Sequence, residues 1–199
     1  MNIGVLGGTF DPVHIGHLII AEDVRVKLGL AGVVFLPAGQ PWLKDDRSIS
    51  PARHRVEMLR LAISSNPYFS LSRIEVDRPG PSYSIDTLPQ LKQQLGSDVA
   101  LYFILGSDAL AEFARWKDPQ RLMQMCELVI APRPGPKPVL KALEKAIPCI
   151  SQHITSLDTP EIGVSSSDIR QRVRRGLSIR YLVPEAVEAY IDQKKLYAD

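Results

Sequence analysis

Residues 7–17 read Gly7-Gly8-Thr9-Phe10-Asp11-Pro12-Val13-His14-Ile15-Gly16-His17, and the fold follows from this stretch and its flanks. Just before it, residues 2–7 form a short apolar run with strand character, which the Gly7-Gly8 pair breaks. Just after it, Leu18, Ala21, Val24 and Leu28 recur at helical spacing over residues 15–28, with Gly29 as a natural stop. A strand that passes through a glycine turn into a helix opens an α/β sheet. Ligands of such sheets bind beyond the carboxyl ends of the strands.

Working outward, Val33, Val34, Phe35 and Leu36 make residues 32–37 a second buried-type strand. Continuous apolar strands separated by a helix predict a parallel sheet covered on both faces. Further strands are expected at 99–105 and 127–131, one or two short ones at 69–77, and an irregular one at 148–154. Helices are expected from Ser50 (as N-cap, with Pro51 first in the helix) to about residue 64, at 84–95, after residue 105, at 167–175 and at 184–194. In the last, Val187, Tyr190, Ile191 and Lys194 have amphipathic spacing. Residues 38–49 are polar and turn-rich and read as a mobile loop; residues 133–138 carry three prolines and read as another loop. The expected class is α/β: a Rossmann-like, doubly wound parallel sheet with right-handed connections. Residues 1–199 are expected to form a single domain, with about 165–199 as a small helical C-terminal lobe.

The bulk numbers exclude several functions. With 24 basic and 22 acidic side chains the net charge is +2, so no general field attracts nucleic acid or an anionic membrane, and any phosphate binding is local. Apolar runs such as 101–105 are too short to span a bilayer. Met1 leads straight into a strand-like segment, without the basic and apolar regions of a signal peptide. The two cysteines, Cys126 and Cys149, make no disulfide framework and read as small buried apolar side chains. A cytoplasmic location is expected.

The chemistry is concentrated where the first strand meets its helix. The two glycines let backbone N–H groups approach an anion, and the helix start adds its open N–H groups and positive dipole end. His14 and His17 are three apart in the first turn and project from one face. Two imidazoles there suit a phosphate whose charge grows in a reaction. The glycine spacing of a dinucleotide fingerprint is absent, as is the Gly-Lys-Ser/Thr of a P-loop. Zinc ligation lacks a third ligand at motif spacing, and a purely structural helix start remains the other reading.

This stretch resembles the GGxFDPxHxGH signature of the HxGH nucleotidyltransferases. Four further segments resemble motifs of bacterial nicotinate-nucleotide adenylyltransferases: residues 50–55, residues 81–88 (Pro-Ser-Tyr-Ser-Ile-Asp-Thr-Leu), residues 104–108 with Trp116 following, and residues 165–170 (Ser-Ser-Ser-Asp-Ile-Arg). They span almost the whole chain in the family's order, and the 83–88 segment with Trp116 points to the pyridine nucleotide branch. The loop departs from the family's common pattern, because Gln40-Pro41-Trp42-Leu43-Lys44 lacks its histidine while keeping the lysine.

The resemblance implies that ATP and nicotinate mononucleotide are the substrates and that pyrophosphate leaves by direct in-line attack, in a step of NAD biosynthesis. It assigns His14, His17, Lys44 and Arg170 to catalysis. Gly7, Gly8, Thr9, Phe10, Gly106, Asp108, Ser165 and Ser166 would join His14, His17 and Arg170 in ATP binding. Lys44, Tyr83, Asp86, Thr87, Trp116, Lys117 and Arg133 would hold nicotinate mononucleotide, with Thr87 the leading backbone donor to the nicotinate carboxylate. Mg²⁺ is the implied cofactor, carried with ATP and needing no metal ligands from the protein. Beside these stand plainer readings: Lys44 and Arg170 as solvated charges, Ser165 and Asp108 as helix caps, and Trp116 as a packed ring. A relative that uses phosphopantetheine or nicotinamide mononucleotide, or a non-catalytic nucleotide-binding module, is the alternative function. A homo-oligomer is compatible with the sequence.

Overall fold

A computed structural model describes residues 1–41, 49–132 and 140–198. Its centre is a six-stranded sheet in which β1 (Asn2–Gly8) and β4 (Ala100–Gly106) lie side by side. Outward from β1 come β2 (Gly32–Pro37) and β3 (Phe69–Leu71); outward from β4 come β5 (Glu127–Ala131) and β6 (Ile154–Ser156). The order β3-β2-β1-β4-β5-β6 is parallel at every pairing. It reverses direction between β1 and β4, which places the switch-point crevice of a doubly wound sheet there.

The central strands are apolar throughout because both faces are covered. Successive residues serve opposite sides: Val34 and Leu36 pack into one core, and Val33 and Phe35 into the other. On the first face Ile85, Leu88 and Leu91 of α4 (Ser84–Leu95) join Phe103 and Leu128, together with Leu110 of α5 (Ser107–Ala111) and Leu122 of α6 (Pro119–Met123). Leu143 of α7 (Leu140–Ala146) closes that side. On the second face lie Ile20, Ala21 and Val24 of α1 (Ile15–Lys27), and Met58, Leu59 and Ile63 of α2 (Ala52–Ile63). Ile169 of α8 (Ser166–Arg174), with Val187 and Ile191 of α9 (Glu185–Lys194), belongs to this same cluster, so the C-terminal helices share the core of α1 and α2.

Local structure departs from expectation at several places. Residues 69–77 hold one strand, β3, and then a helical turn, α3 (Ile74–Asp77). The alternation of Ile74 and Val76 suggests a strand, but the i,i+4 ion pair of Arg73 with Asp77 and the burial of Glu75 belong to the helix. Residues 148–154 are mainly a 3₁₀ turn, Ile150–His153, that leads into β6. Cys126 is buried, with its thiol pushed up to about 12 by desolvation, whereas Cys149 is exposed. Ser50 does not cap α2. Pro51 holds that position, while the backbone N–H of Ser50 donates to Asp11 and its carbonyl accepts from Arg55.

Candidate active site

The crevice is built first by the turn that follows β1. Phe10 takes a left-handed φ of 52° and is buried, its ring meeting that of His17 edge-on at 5.0 Å. His14 is the N-cap of α1 in an extended conformation. Its backbone N–H donates to Nδ1 of His17 at 3.2 Å, so Nδ1 is an acceptor and the proton of the neutral ring lies on Nε2. The two imidazoles stack at 3.7 Å with an interplanar angle of 29°. Gly16 makes this possible, because a Cβ there would lie 3.1 Å from Nδ1 of His14. The helix start is less open than the sequence suggests: the N–H of Ile15 donates to the carbonyl of Leu182, and that of His17 to the carbonyl of His14, both at 3.0 Å.

The start of α8 lies against the same turn. Ser166 Oγ donates to the Pro12 carbonyl at 2.9 Å, and Arg170 Nη1 to the Asp11 carbonyl at 2.7 Å. Ser165 caps the helix, its Oγ accepting from the N–H of Asp168 at 3.0 Å. The two expected phosphate segments are thus neighbours despite a separation of more than 150 positions, with Ser166 and Arg170 binding the turn's backbone.

A buried polar network beneath the turn escaped the sequence reading. Arg55 is 1% exposed and donates to the carbonyls of Ser50, Thr9, Ala38 and Gly39 at 2.7–3.2 Å. Burial pulls its pKa down, and the nearby Asp11 and Tyr197 oppose this. Asp11, 2% exposed, accepts from the N–H of Ser50 at 3.0 Å and from the hydroxyl of Tyr197 at 2.6 Å. Burial first, and the Asp11 carboxylate second, push the Tyr197 phenol well above its ordinary value. Arg55 lies in the 50–55 segment that carries the family resemblance, but no role was read for it, because no periodicity singles out a buried arginine.

On the β4 side, Gly106 caps α5 and Asp108 is exposed in its first turn, so Asp108 is not the cap. Trp116 is half-buried against Phe103 and Phe113, at ring distances of 5.9 and 5.2 Å. Among the described residues, its buried indole N–H finds no acceptor. Lys117 sits 4.6 Å over the ring of Tyr83 and pairs with Asp86 at 2.9 Å, joining this segment to the start of α4.

Thr87 has another place than expected. It is wholly buried, its Oγ1 donating to Glu75 at 2.8 Å and accepting from Arg78 at 2.9 Å. It is the fourth residue of α4, beyond the N–H groups that a helix start leaves open. The N–H of Asp86 is taken by the Tyr83 carbonyl at 3.0 Å, so Ser84 and Ile85 are the donors without an intrahelical acceptor. Beneath them Ser82 Oγ accepts from the N–H groups of Gly39 and Gln40, at 2.9 and 3.2 Å. Gly39 approaches so closely that a Cβ would stand 2.1 Å from the Glu75 carbonyl oxygen. Burial raises the pKa of Glu75, against the hydrogen bonds from Thr87 and Ser82.

Lys44 and Arg133 lie outside the described residues. Among the described residues no group of three His, Cys, Asp or Glu side chains is placed to hold a metal ion, and no helix is long and apolar enough to cross a membrane.

Residues 5–172 match the family model described as cytidylyltransferase-like. A Dehalococcoides mccartyi protein named probable nicotinate-nucleotide adenylyltransferase is 47% identical over 99% of this chain and 97% of its own length. A Roseiflexus protein of the same name is 47% identical over 98% of this chain and 97% of its own. In three dimensions the fold is similar to that of a Plasmodium falciparum nicotinic acid mononucleotide adenylyltransferase solved with NaAD, with a TM-score of 0.79, 21% identity, and 98% and 97% of the two chains covered. A family match over most of the chain and near half identity along its full length have one meaning: this chain belongs to the cytidylyltransferase-like family and, within it, to the nicotinate-nucleotide adenylyltransferases.

Proposed function

We propose that the protein transfers the AMP part of ATP to nicotinate mononucleotide, giving nicotinate adenine dinucleotide and pyrophosphate. The observation that carries this is the stacked pair His14 and His17 at the β1/β4 switch point, in a chain of this family. A phosphate oxygen of the mononucleotide attacks the α-phosphorus of ATP in line. A new P–O bond forms as the bond to the pyrophosphate oxygen breaks. With a second pKa near 6, the attacking phosphate is ionised at neutral pH, so no general base is required. Catalysis then consists of positioning and of stabilising charge on the α-phosphate and the leaving group.

His17, whose proton lies on Nε2, is the donor to the α-phosphate, with His14 stacked against it. Arg170 and the start of α8 stand beside the turn, where a positive charge and serine hydroxyls favour the β- and γ-phosphates. Lys44 is assigned to the same phosphates and to the acceptor by family resemblance, and Arg133 to the acceptor. Gly106 and Asp108 suit the ribose hydroxyls of ATP. Mg²⁺ enters with the triphosphate as part of the substrate and keeps several waters, which asks no carboxylate cage of the chain.

The pyridine ring stacks on Trp116, whose buried N–H awaits an acceptor among the described residues. Its carboxylate takes the N–H groups of Ser84 and Ile85. An amide would turn its NH₂ toward the same donors and leave them mispaired, so the acid is preferred. The test is pyrophosphate release from ATP with nicotinate mononucleotide, nicotinamide mononucleotide or phosphopantetheine as acceptor. The first is expected to be fastest and the amide slower; no turnover with nicotinate mononucleotide would overturn the proposal.

A further inference from the structure

We infer that Tyr197 is a positioning residue of the nucleotide site, clamping the Asp11 turn to the start of α2 through its phenolic hydroxyl. This rests on the reading of His14 and His17 as the nucleotide grip.

Three segments distant in sequence meet on one buried carboxylate. Tyr197 donates to Oδ1 of Asp11 at 2.6 Å across 186 positions, and the N–H of Ser50 donates to Oδ2 at 3.0 Å. Arg55, beside them, gives its hydrogen bonds to backbone carbonyls. The phenol is therefore one of two donors that these bonds bring to a carboxylate only 2% exposed, where water is a poor replacement.

The chain reverses at the end of α9 and so brings the Tyr197 hydroxyl to Asp11. Lys195, with a φ of 50°, is the left-handed C-cap of α9, a common helix end; Tyr197, beyond it, has a φ of 66°, in the left-handed region that bulky residues avoid. The N–H of Leu196 closes the reversal on the Ile191 carbonyl at 3.0 Å. Such backbone persists where surrounding contacts over-determine it, and the hydroxyl on Asp11 is one of the polar contacts that hold Tyr197 there.

The consequence falls on His14, three residues after Asp11. Arg170 holds the carbonyl side of Asp11 and Tyr197 its carboxylate, so together they fix where the turn delivers the imidazole pair. Misplacement by about 1 Å is enough to cost a large factor in rate. A second tie between α9 and α2 runs from the Tyr190 hydroxyl to His54 Nδ1 at 3.0 Å and supplies an internal control.

The experiment compares wild type, Tyr197→Phe and Tyr190→Phe in steady-state turnover of ATP and nicotinate mononucleotide, with the thermal midpoint of each. Tyr197→Phe keeps the ring and removes one hydrogen bond to a charged group. It is expected to lower kcat/KM for ATP by about tenfold or more, with the KM of the acceptor unchanged. Tyr190→Phe is expected to leave both values as in wild type. If Tyr197→Phe matches wild type, or if both variants lose efficiency toward both substrates alike, the inference is overturned while the functional reading stands. If the wild type itself does not turn over, the functional reading fails and takes the inference with it.

Discussion

The ring of His17 is held between two aromatic faces: stacked on His14 at 3.7 Å and met edge-on by Phe10 at 5.0 Å. Its Nδ1 accepts the backbone N–H of His14 at 3.2 Å. A side chain fixed on three sides has little freedom left to lose when substrate arrives, and its remaining nitrogen is a donor in the neutral state. Preorganised donors of this kind stabilise charge that develops during phosphoryl transfer without reorganising first.

Replacing His17 by alanine should therefore lower kcat by roughly a hundredfold, the cost of removing one such donor. The fold should persist, because His17 is half-buried and α1 remains anchored through Ile20, Ala21 and Val24. Circular dichroism and turnover measured on the same sample decide this. Near-normal kcat would remove His17 from the catalytic set.

Arg55 presents the opposite case, a charge whose main effect is on stability. Its guanidinium satisfies four loop carbonyls from one buried position. Lysine keeps the charge but lacks the planar fork, so Arg55→Lys should leave acceptors unpaired and lose about 3 kcal/mol in urea unfolding. A change within experimental error would mean that the loops satisfy those carbonyls without it.

Glu75 makes stability depend on pH in mild acid. Burial raises its folded pKa above the ordinary 4.5, so the folded protein binds this proton more readily than the unfolded chain. Its contribution is fullest below the unfolded value and declines as pH rises through the folded one. The thermal midpoint of wild type relative to Glu75→Gln should accordingly improve as pH is lowered from neutrality toward 4.5. Parallel midpoint curves for the two proteins would contradict this.

Trp116 should act on the acceptor alone. Trp116→Ala is expected to raise the KM for nicotinate mononucleotide about tenfold, the scale of one lost aromatic stacking contact, with the KM for ATP nearly unchanged. Equal effects on both substrates would indicate that the ring serves the packing of Phe103 and Phe113 instead.

The sheet was legible because its strands are apolar on both faces and the first one breaks at Gly7-Gly8, features that need no knowledge of distant partners. The closeness of His14 and His17 was legible from their spacing, but its cause was not: His14 is the extended N-cap before α1, and its backbone N–H on His17 Nδ1, with the stacking of the two rings, brings the pair together. Arg55, Asp11 and Tyr197 were not legible, because their partners are loop carbonyls and a side chain 186 positions away. Ser165 shows the limit from another side: its residue type suited both a phosphate contact and a helix cap, and the hydroxyl caps the helix. Thr87 was expected, from the family resemblance, as a backbone donor; where α4 begins could not be read to the residue, and as its fourth residue Thr87 lies past the open N–H groups, with its side chain on Glu75.

The most direct measurement follows ATP labelled at the α-phosphate through a single incubation with nicotinate mononucleotide. The account predicts that the label appears in the dinucleotide and that the pyrophosphate released is unlabelled. Label that stays in ATP, or that leaves with the released phosphate, would contradict it.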